Sequence, residues 1–497
     1  MNHMNYQLLI GGTLLAGCAA TQATAAQAAD ANGSSPARRP NIVFILADDL
    51  GYGDLSCYGQ RFFSTPNIDS IAQRGMRFTQ CYSGTTVSAP SRSCLLTGQH
   101  SGHTPVRGNK EAKPEGQFPL PDGASEMFLS MKAAGYTVGV FGKWGLGFIG
   151  TSGDPMRQGV DRFYGYNCQL LAHSYYPDHL WDDSTRIELT DNVPEVPYGQ
   201  GSYAPDLIHA EAIKFLDSRR DDEPFMLFYP TTLPHAELIV PEDDIISDLR
   251  GRYPEKPFKG CDSGPAFRHG GYCSQEYPHA TFAAMIVRLD RYVGDIVQHL
   301  RQRGLLDNTV IIFASDNGPH KEGGADPDFF DGNGPFRGYK RDVYEGGIRV
   351  PMIVEWPGRV AAGSTSDHMC AFWDLPATFA EISGSRMPAA EDGISFLPTL
   401  TGNAKAQQQH DYLYFEFLEL NGRQAVRCDD WKLIHMDIRS DNPTYELYNL
   451  AEDIGEQHNV IDQYPEVADY LKSLMNSSHT PDANWPLLPG EMAKKQK

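Results

Sequence analysis

The 497-residue chain reads as an α/β protein. Its expected architecture is a large, mostly parallel or mixed sheet sandwiched by helices, with a smaller C-terminal α+β subdomain built on an antiparallel sheet. Three observations predict this. Apolar runs of strand length alternate with helix-period segments from about residue 40 to 400, as in a sheet covered on both faces. Two of those runs end in acidic residues, at the edge where open α/β sheets bind ligands. Beyond about residue 400 the runs are shorter, partly alternating and separated by short polar turns, which suits an antiparallel sheet.

Each element has its own justification. In the N-terminal "MNHMNYQLLIGGTLLAGCAATQATAAQAAD" the apolar run 8–16 is too short to span a bilayer and has the length of a signal-peptide core. Leu15-Ala16-Gly17-Cys18 resembles a bacterial lipobox. Residues 1–18 are therefore expected to be a lipoprotein-type signal peptide, with Cys18 the lipidated mature N-terminus. The first seven residues lack Lys and Arg, which is off pattern, and an ordinary signal cleaved within the Ala-rich 19–29 is the alternative. The expectation is an exported protein, periplasmic or an outer-membrane or cell-surface lipoprotein of a Gram-negative bacterium, touching membrane only through that anchor. Residues 19–39, ending in "DANGSSPARR", read as a flexible tether.

"NIVFILA" (41–47) is a buried strand ending in Asp48-Asp49. "SEMFLSMKAAG" reads as helix and "YTVGVFGKW" as strand; "IHAEAIKFLDS" as helix and "PFMLFYP" as strand. Over 281–303, Ile286, Leu289, Val293, Ile296, Val297 and Leu300 recur at helical spacing, and the buried strand "TVIIFASDNG" follows, again ending in an acid. Residues 40–399 form the expected large domain and 400–497 the smaller one. In the latter, "DYLYFEF", "QAVRCDDWKLIH" and "TYELYNL" read as strands and 464–475 as a final helix.

Composition narrows function. Hydrophobic residues make up 41 % of the chain, enough for an ordinary core. A net charge of −21 argues against a nucleic-acid partner, which selects a basic face, yet permits an anionic substrate in a local basic pocket. Of nine cysteines, only Cys261 and Cys273 lie close in sequence. Export would permit disulfides, their connectivity is left open, and no spacing suggests zinc.

Asp48, Asp49, Asp316 and Asn317 all offer oxygen at strand ends. Converging on one spot they would call for a cation, and an all-oxygen set suits Ca²⁺ or, less well, Mg²⁺. Taken singly, each is an ordinary cap or turn residue. Arg92, Lys143 and Lys340 would ordinarily be surface charges, but Arg92 and Lys143 are hemmed in by Gly, Pro and apolar residues. His235, in "TTLPHAEL", directly follows a strand; His320, His173 and His179 add further imidazoles. Ser88, in "SAPSRSCLLTG", poses a question. A plain serine is a poor nucleophile without a base, and none is recognisable near it. Either Ser88 is inert or it is not a serine in the working protein.

The blocks "ADDLGYGDLSCYG", "SAPSRSCLLTG", "FGKWGLG", "TLPHAEL", "ASDNG" and "GYKRDVYEGGIRVP" together resemble the type I sulfatases of the alkaline-phosphatase-like superfamily, in family order over about residues 39–460. The resemblance implies that Ser88 is oxidised to formylglycine by a radical-SAM sulfatase-maturating enzyme, so Cys81 and Cys94 are packing residues. It implies that Asp48, Asp49, Asp316, Asn317 and residue 88 hold Ca²⁺, and that Arg92, Lys143 and Lys340 stabilise residue 88 or the sulfate charge. His235 is the implied acid toward the leaving sugar oxygen. One hydroxyl of the formylglycine hydrate would attack sulfur, and deprotonation of the other would then expel sulfate and restore the aldehyde.

One departure is plain: where many members read G-K-W-H-L-G, this chain has Gly145. His173 or His103 could supply the missing base, and His103, His173, His179 and His320 are the expected substrate-binding residues. The aromatic stretch "FYGYNCQLLAHSYYPDHLW" (163–181) suits stacking on a sugar, with aromatic core as the alternative. This stretch and "DGNGPFRGYK" resemble bacterial N-acetylgalactosamine-6-sulfatase-like enzymes, implying exo-action on 6-O- or 4-O-sulfated galactose or N-acetylgalactosamine within a sulfated glycan. The rival readings are a phosphonate or phosphate ester hydrolase of the same superfamily, and a non-catalytic lipoprotein that binds sulfated glycan if Ser88 is not matured.

Overall fold

In the computed structural model, which describes residues 38–196, 198–220, 222–386 and 392–492, the strands of the first half are β1 (Asn41–Ala47), β2 (Met76–Tyr82), β3 (Thr137–Lys143), β4 (Arg162–Tyr166), β5 (His179–Asp182), β6 (Thr185–Glu188) and β7 (Phe225–Pro230). They are followed by β8 (Thr309–Ser315), β9 (Arg349–Glu355), β10 (Ser364–Ser366) and β11 (Cys370–Ala371). All eleven join one sheet in the order β10-β2-β9-β8-β1-β7-β3-β4-β5-β6, with β11 also on β2. The centre, β8-β1-β7-β3-β4, is parallel; β9 runs antiparallel to both β2 and β8, and β5 and β6 close the far edge antiparallel. The sheet is thus mixed, with a parallel heart, as the fold class predicts.

The twofold period of the strands splits the interior into two layers. Val43 and Ile45 of β1, with Ile311 and Phe313 of β8, face helices α1 (Pro66–Arg74), α4 (Ala204–Asp217) and α6 (Pro278–Gln302). The alternate residues, Ile42, Phe44, Ile312 and Ala314, face α2 (Ser88–Thr97), α3 (Glu126–Ala133) and the helix Asp374–Ser383. Both faces of these strands are apolar because both are covered.

The C-terminal strands β12 (Leu413–Phe417), β13 (Arg423–Cys428), β14 (Trp431–Met436) and β15 (Thr444–Asn449) form a four-stranded antiparallel sheet. "QAVRCDDWKLIH" is a hairpin of two strands, turning at Asp429-Asp430 with Asp429 in the left-handed region at φ 50°. One face, with Leu413, Phe415 and Ile434, packs on Val87 and Cys94 beside α2; the other, with Val426 and Leu433, packs on the helix Pro465–Ser478. From Arg39 onward the chain clusters as one compact unit. The expected signal peptide, Cys18 and nearly all of the expected tether lie outside the described residues. Cys81 and Cys94 are buried and the eight described cysteines are free, Cys261 and Cys273 included. Among the described residues no helix is long and apolar enough to cross a membrane.

Candidate active site

The parallel pairing of β1 with β8 sets Ala47 opposite Ser315, so the residues that follow, Asp48 and Asp316, emerge side by side. Asp49 takes a left-handed turn at φ 63°; its N–H donates to Asp316 Oδ1 at 3.1 Å and its Oδ1 accepts from Asn317 Nδ2 at 2.7 Å. All four are fully buried. The other oxygen donor arrives from α2. Ser88 is its first residue, 2 % exposed, and its Oγ donates to Asp48 Oδ1 at 2.9 Å. One turn along, on the same helix face, Arg92 donates from Nε and NH2 to Asp316 Oδ2 at 3.1 and 2.9 Å, and from NH1 to the Lys143 carbonyl at 2.6 Å.

Lys143, the last residue of β3, reaches across to Asp48 Oδ2 at 2.6 Å and to Ser88 Oγ at 3.5 Å. Lys340 donates to Asp49 Oδ2 and to Glu322 Oε2, each at 2.8 Å, and to His235 Nε2 at 3.1 Å. The three buried aspartates thus meet three buried cations. Charge alone therefore does not force a metal here, contrary to the expectation from the acids taken by themselves. The observation that fits a cation is Asn317 Oδ1, a buried acceptor with no hydrogen-bond partner. With Asp48, Asp49, Asp316 and Ser88 it makes an all-oxygen donor set that suits a hard cation. Histidine also borders the acids: single ligand atoms of Asp48, Asp49 and His235 lie within 4.8 Å of one another, as do those of Asp49, His320 and Glu322.

The electrostatics follow from burial and neighbours. Burial opposes ionisation of Asp48, but Lys143, His235 and Arg92 overcome it and hold its carboxyl well below the usual range. Asp49 is likewise lowered, Lys340 outweighing burial. Asp316 is pushed up to about 6 by burial, with Asp48 adding to the rise. His235 is lowered to about 3, by burial first and Lys340 second, and His173 to about 4 by burial with Lys143 and Lys340 nearby. The rings of His173, His235 and His320 stack in parallel, with centroids 5.1 and 5.7 Å apart. The Nδ1 of His235 faces the Ala236 carbonyl, which leaves Nε2 to accept from Lys340.

Asp48, Asp49, Ser88, Arg92, Lys143, His235, Asp316, Asn317 and Lys340 thus meet in one buried cluster, with His173 and His320 flanking it. Two expected substrate-binding residues stand elsewhere. His103 pairs with Asp392 at 2.9 Å and stacks on His100 beyond the C-terminal end of α2, a ten-residue helix about 15 Å long whose other end carries Ser88. His179 is held by Glu115 at 2.8 Å and Asp178 at 2.6 Å, and lines a separate cavity of about 300 Å³ with Lys113 and Arg186. The aromatic stretch is also corrected: Tyr164, Tyr166, Tyr175 and Tyr176 are core residues, not a stacking surface. Glu322, which anchors Lys340 and Arg341, was missed; only its place two residues after His320 hints at it.

Comparison with known proteins agrees with this geometry. A family model described as Sulfatase matches residues 40–385, and one described as N-sulphoglucosamine sulphohydrolase, C-terminal, matches 334–480. Arylsulfatase A of Homo sapiens is 31 % identical over 93 % of this chain and 92 % of its own. N-acetylgalactosamine-6-O-sulfatase of Bacteroides thetaiotaomicron is 30 % identical over 95 % and 98 %. The solved structure of Ps i-CgsB in complex with k-i-k-neocarrahexaose superimposes with a TM-score of 0.74 at 25 % identity, covering 92 % of this chain and 97 % of that one. The chain belongs to the sulfatase family and is a sulfuric ester hydrolase.

Proposed function

We propose that the protein is an exported carbohydrate sulfatase, acting at the chain end on 6-O- or 4-O-sulfated galactose or N-acetylgalactosamine, with residue 88 in its formylglycine form and Ca²⁺ as the cation. The observation that carries the nucleophile is the setting of Ser88. Its hydroxyl has as its closest basic group a carboxylate, Asp48, that three neighbouring cationic or imidazole groups keep ionised and hence weakly basic. An unmodified serine held there has no effective base. Formylglycine would supply, as its hydrate, a nucleophilic hydroxyl with a second hydroxyl to expel the product. A hard cation held by Asp48, Asp49, Asp316 and Asn317 would supply Lewis-acid polarisation of the reacting oxygens.

The chain's own groups do the rest. Lys143 and Arg92 place positive charge beside residue 88, where the sulfate's negative charge must sit. Lys340 and His235, 3.1 Å apart, form the pair on the side of the leaving oxygen; the ammonium of Lys340 bears the proton, and the neutral imidazole Nε2 of His235 accepts from it and orients it. The N-acetylgalactosamine-6-O-sulfatase relative supports the choice of sugar, and the lipobox-like sequence at Cys18 supports export and anchoring.

The experiment is the mass of the Ser88 peptide from protein co-produced with an anaerobic sulfatase-maturating enzyme, followed by sulfate release from a panel of sulfated sugars. The expected result is loss of two hydrogens at residue 88 and release from a sulfated galactose or N-acetylgalactosamine. An intact serine in protein that releases sulfate, or a modified residue with no release from any sugar, would overturn the reading.

A further inference from the structure

Beside Lys143, three buried amide side chains carry polar atoms that no described residue satisfies. Tyr166 is the strand partner of Lys143, and the next residue, Asn167, is 1 % exposed with both Oδ1 and Nδ2 unpartnered. Its backbone carbonyl accepts from Gly145 N at 3.0 Å. Gln169 donates its backbone N–H to Gln117 Oε1 at 3.1 Å, which leaves Gln117 Nε2 without a partner. The Gln169 side chain lies over Gly145: a Cβ there would run into Gln169 Nε2 and sit 3.2 Å from its Cδ. That Nε2 is also unpartnered, although Gln169 is more than nine-tenths buried. Its neighbours Cys168 and Leu170 line the 300 Å³ cavity of His179, while Gln169 turns the other way, over Gly145 and toward the chain segment of Lys143.

Buried amides are normally satisfied, and leaving them without partners is unfavourable unless a bound molecule supplies them. The unmatched set is three NH₂ donors and one carbonyl acceptor, all neutral. A neutral set adds nothing to the charge balance of a sulfate, which Lys143 and Arg92 already face. It matches hydroxyl and carbonyl oxygens.

We propose that Gln117, Asn167 and Gln169 form a neutral specificity site that hydrogen-bonds the hydroxyl and carbonyl oxygens of the sugar carrying the sulfate. This rests on the reading of the protein as a carbohydrate sulfatase. The site separates substrates by the sugar they present, not by the ester.

The test compares kcat/KM on N-acetylgalactosamine 6-sulfate and 4-sulfate with that on 4-nitrophenyl sulfate, which has no sugar, for the parent and for Gln169→Met and Gln117→Met. Losing one amide from a site built to hydrogen-bond its substrate is expected to cost about tenfold or more on the sugar esters, and less than about twofold on the aryl ester. Equal losses on both substrates, or none on either, overturn the proposal. Should one variant melt early, the other still decides. A second readout is the rise in melting temperature with N-acetylgalactosamine, expected in the parent and lost in the variants; no rise in a parent that cleaves the aryl ester also overturns the site. A parent that cleaves neither class of ester removes the sulfatase reading itself, a distinguishable failure.

Discussion

Replacing Arg92 by methionine removes the partner of a carboxylate from which water is excluded. Arg92 gives Asp316 Oδ2 two hydrogen bonds, at 3.1 and 2.9 Å, and caps the Lys143 carbonyl with a third at 2.6 Å. Its side chain is 3 % exposed and that of Asp316 is 0 %. Breaking a buried pair by removing one member costs about 3–5 kcal/mol, because the other charge stays behind without compensation. Asp316 already sits near pKa 6 through burial and the neighbouring Asp48, so without the guanidinium it is expected to take up a proton at neutral pH, which brings the cost toward the lower limit. With a urea slope of about 4 kcal/mol/M, scaled up for a chain of this size, the unfolding midpoint falls by roughly 0.75 M. The Arg92→Met/Asp316→Asn double variant should recover at least about 1 kcal/mol of the summed single losses, since the stranded charge is gone. Urea unfolding of all four proteins in chelator, followed by tryptophan fluorescence, is the assay. A midpoint unchanged in Arg92→Met, or strictly additive losses, would refute the reasoning. Repeating the series with saturating Ca²⁺ should shrink the Arg92→Met penalty, because a bound cation would compensate Asp316 in its place.

Further outcomes follow from the same geometry. Exhaustive chelation is expected to abolish sulfate release and Ca²⁺ to restore it, with Asn317→Ala raising the Ca²⁺ needed about tenfold or more; full activity after chelation would count against a cation at the orphaned Asn317 oxygen. His235→Ala should lose at least about a hundredfold in rate on sugar sulfates but far less on aryl sulfates, whose phenolate leaves with little protonation; equal losses would take the proton-donor role from the Lys340–His235 pair. Gly145→His should lose about 1–3 kcal/mol of stability, because position 145 sits at φ 77° and the new side chain meets Gln169; an unchanged melting temperature would contradict it. His410 lies 2.8 Å from Asp374, and although burial lowers its pKa the aspartate more than offsets this, leaving it above the ordinary 6.5. Its contribution is therefore complete below about pH 6.5 and is lost as pH rises through the folded value. The melting gap between the parent and His410→Gln should be widest near pH 5.5 and close at alkaline pH.

The reactive end of the sheet was legible because local signals there coincide with topology. Asp48 and Asp316 each end an apolar run, and parallel pairing of such runs brings their ends together without further information. Ser88 and Arg92 share a helix face by their four-residue spacing. Illegible were features set by contacts between distant loops. His103 and His179 carry no local mark that separates them from His235; what places them outside the Ser88 cluster is the length of α2 and the pull of Asp392, Glu115 and Asp178. The tyrosines of 163–181 looked like a sugar platform because composition does not say which way a ring points. That the Gln169 side chain lies over Gly145 depends on contact across a parallel strand pair, which neither segment encodes alone. The antiparallel insertion of β9 between β2 and β8 was equally hidden, since a doubly covered strand has the same apolar run in either direction.

The seat of α2 under the C-terminal sheet has a consequence for the order of events during biosynthesis. Thr85 donates to the Glu416 carbonyl at 2.7 Å, Val87 and Cys94 pack against Leu413 and Phe415, and Ser88 is left 2 % exposed. An enzyme that would alter Ser88 by taking hold of its chain segment would need that segment before it docks on the C-terminal sheet. The strands of that sheet are translated last: at about 5–20 residues per second, Leu413 leaves the ribosome roughly 15 s to a minute after Ser88. During that interval the segment is not yet held by the C-terminal strands; afterwards Thr85, Val87 and Cys94 are pinned against them on either side of Ser88. On the formylglycine reading, a chain that folded before meeting a maturing enzyme would present Ser88 on a segment already pinned on both sides, so the delay between the two stretches of translation would bear on how many molecules are modified.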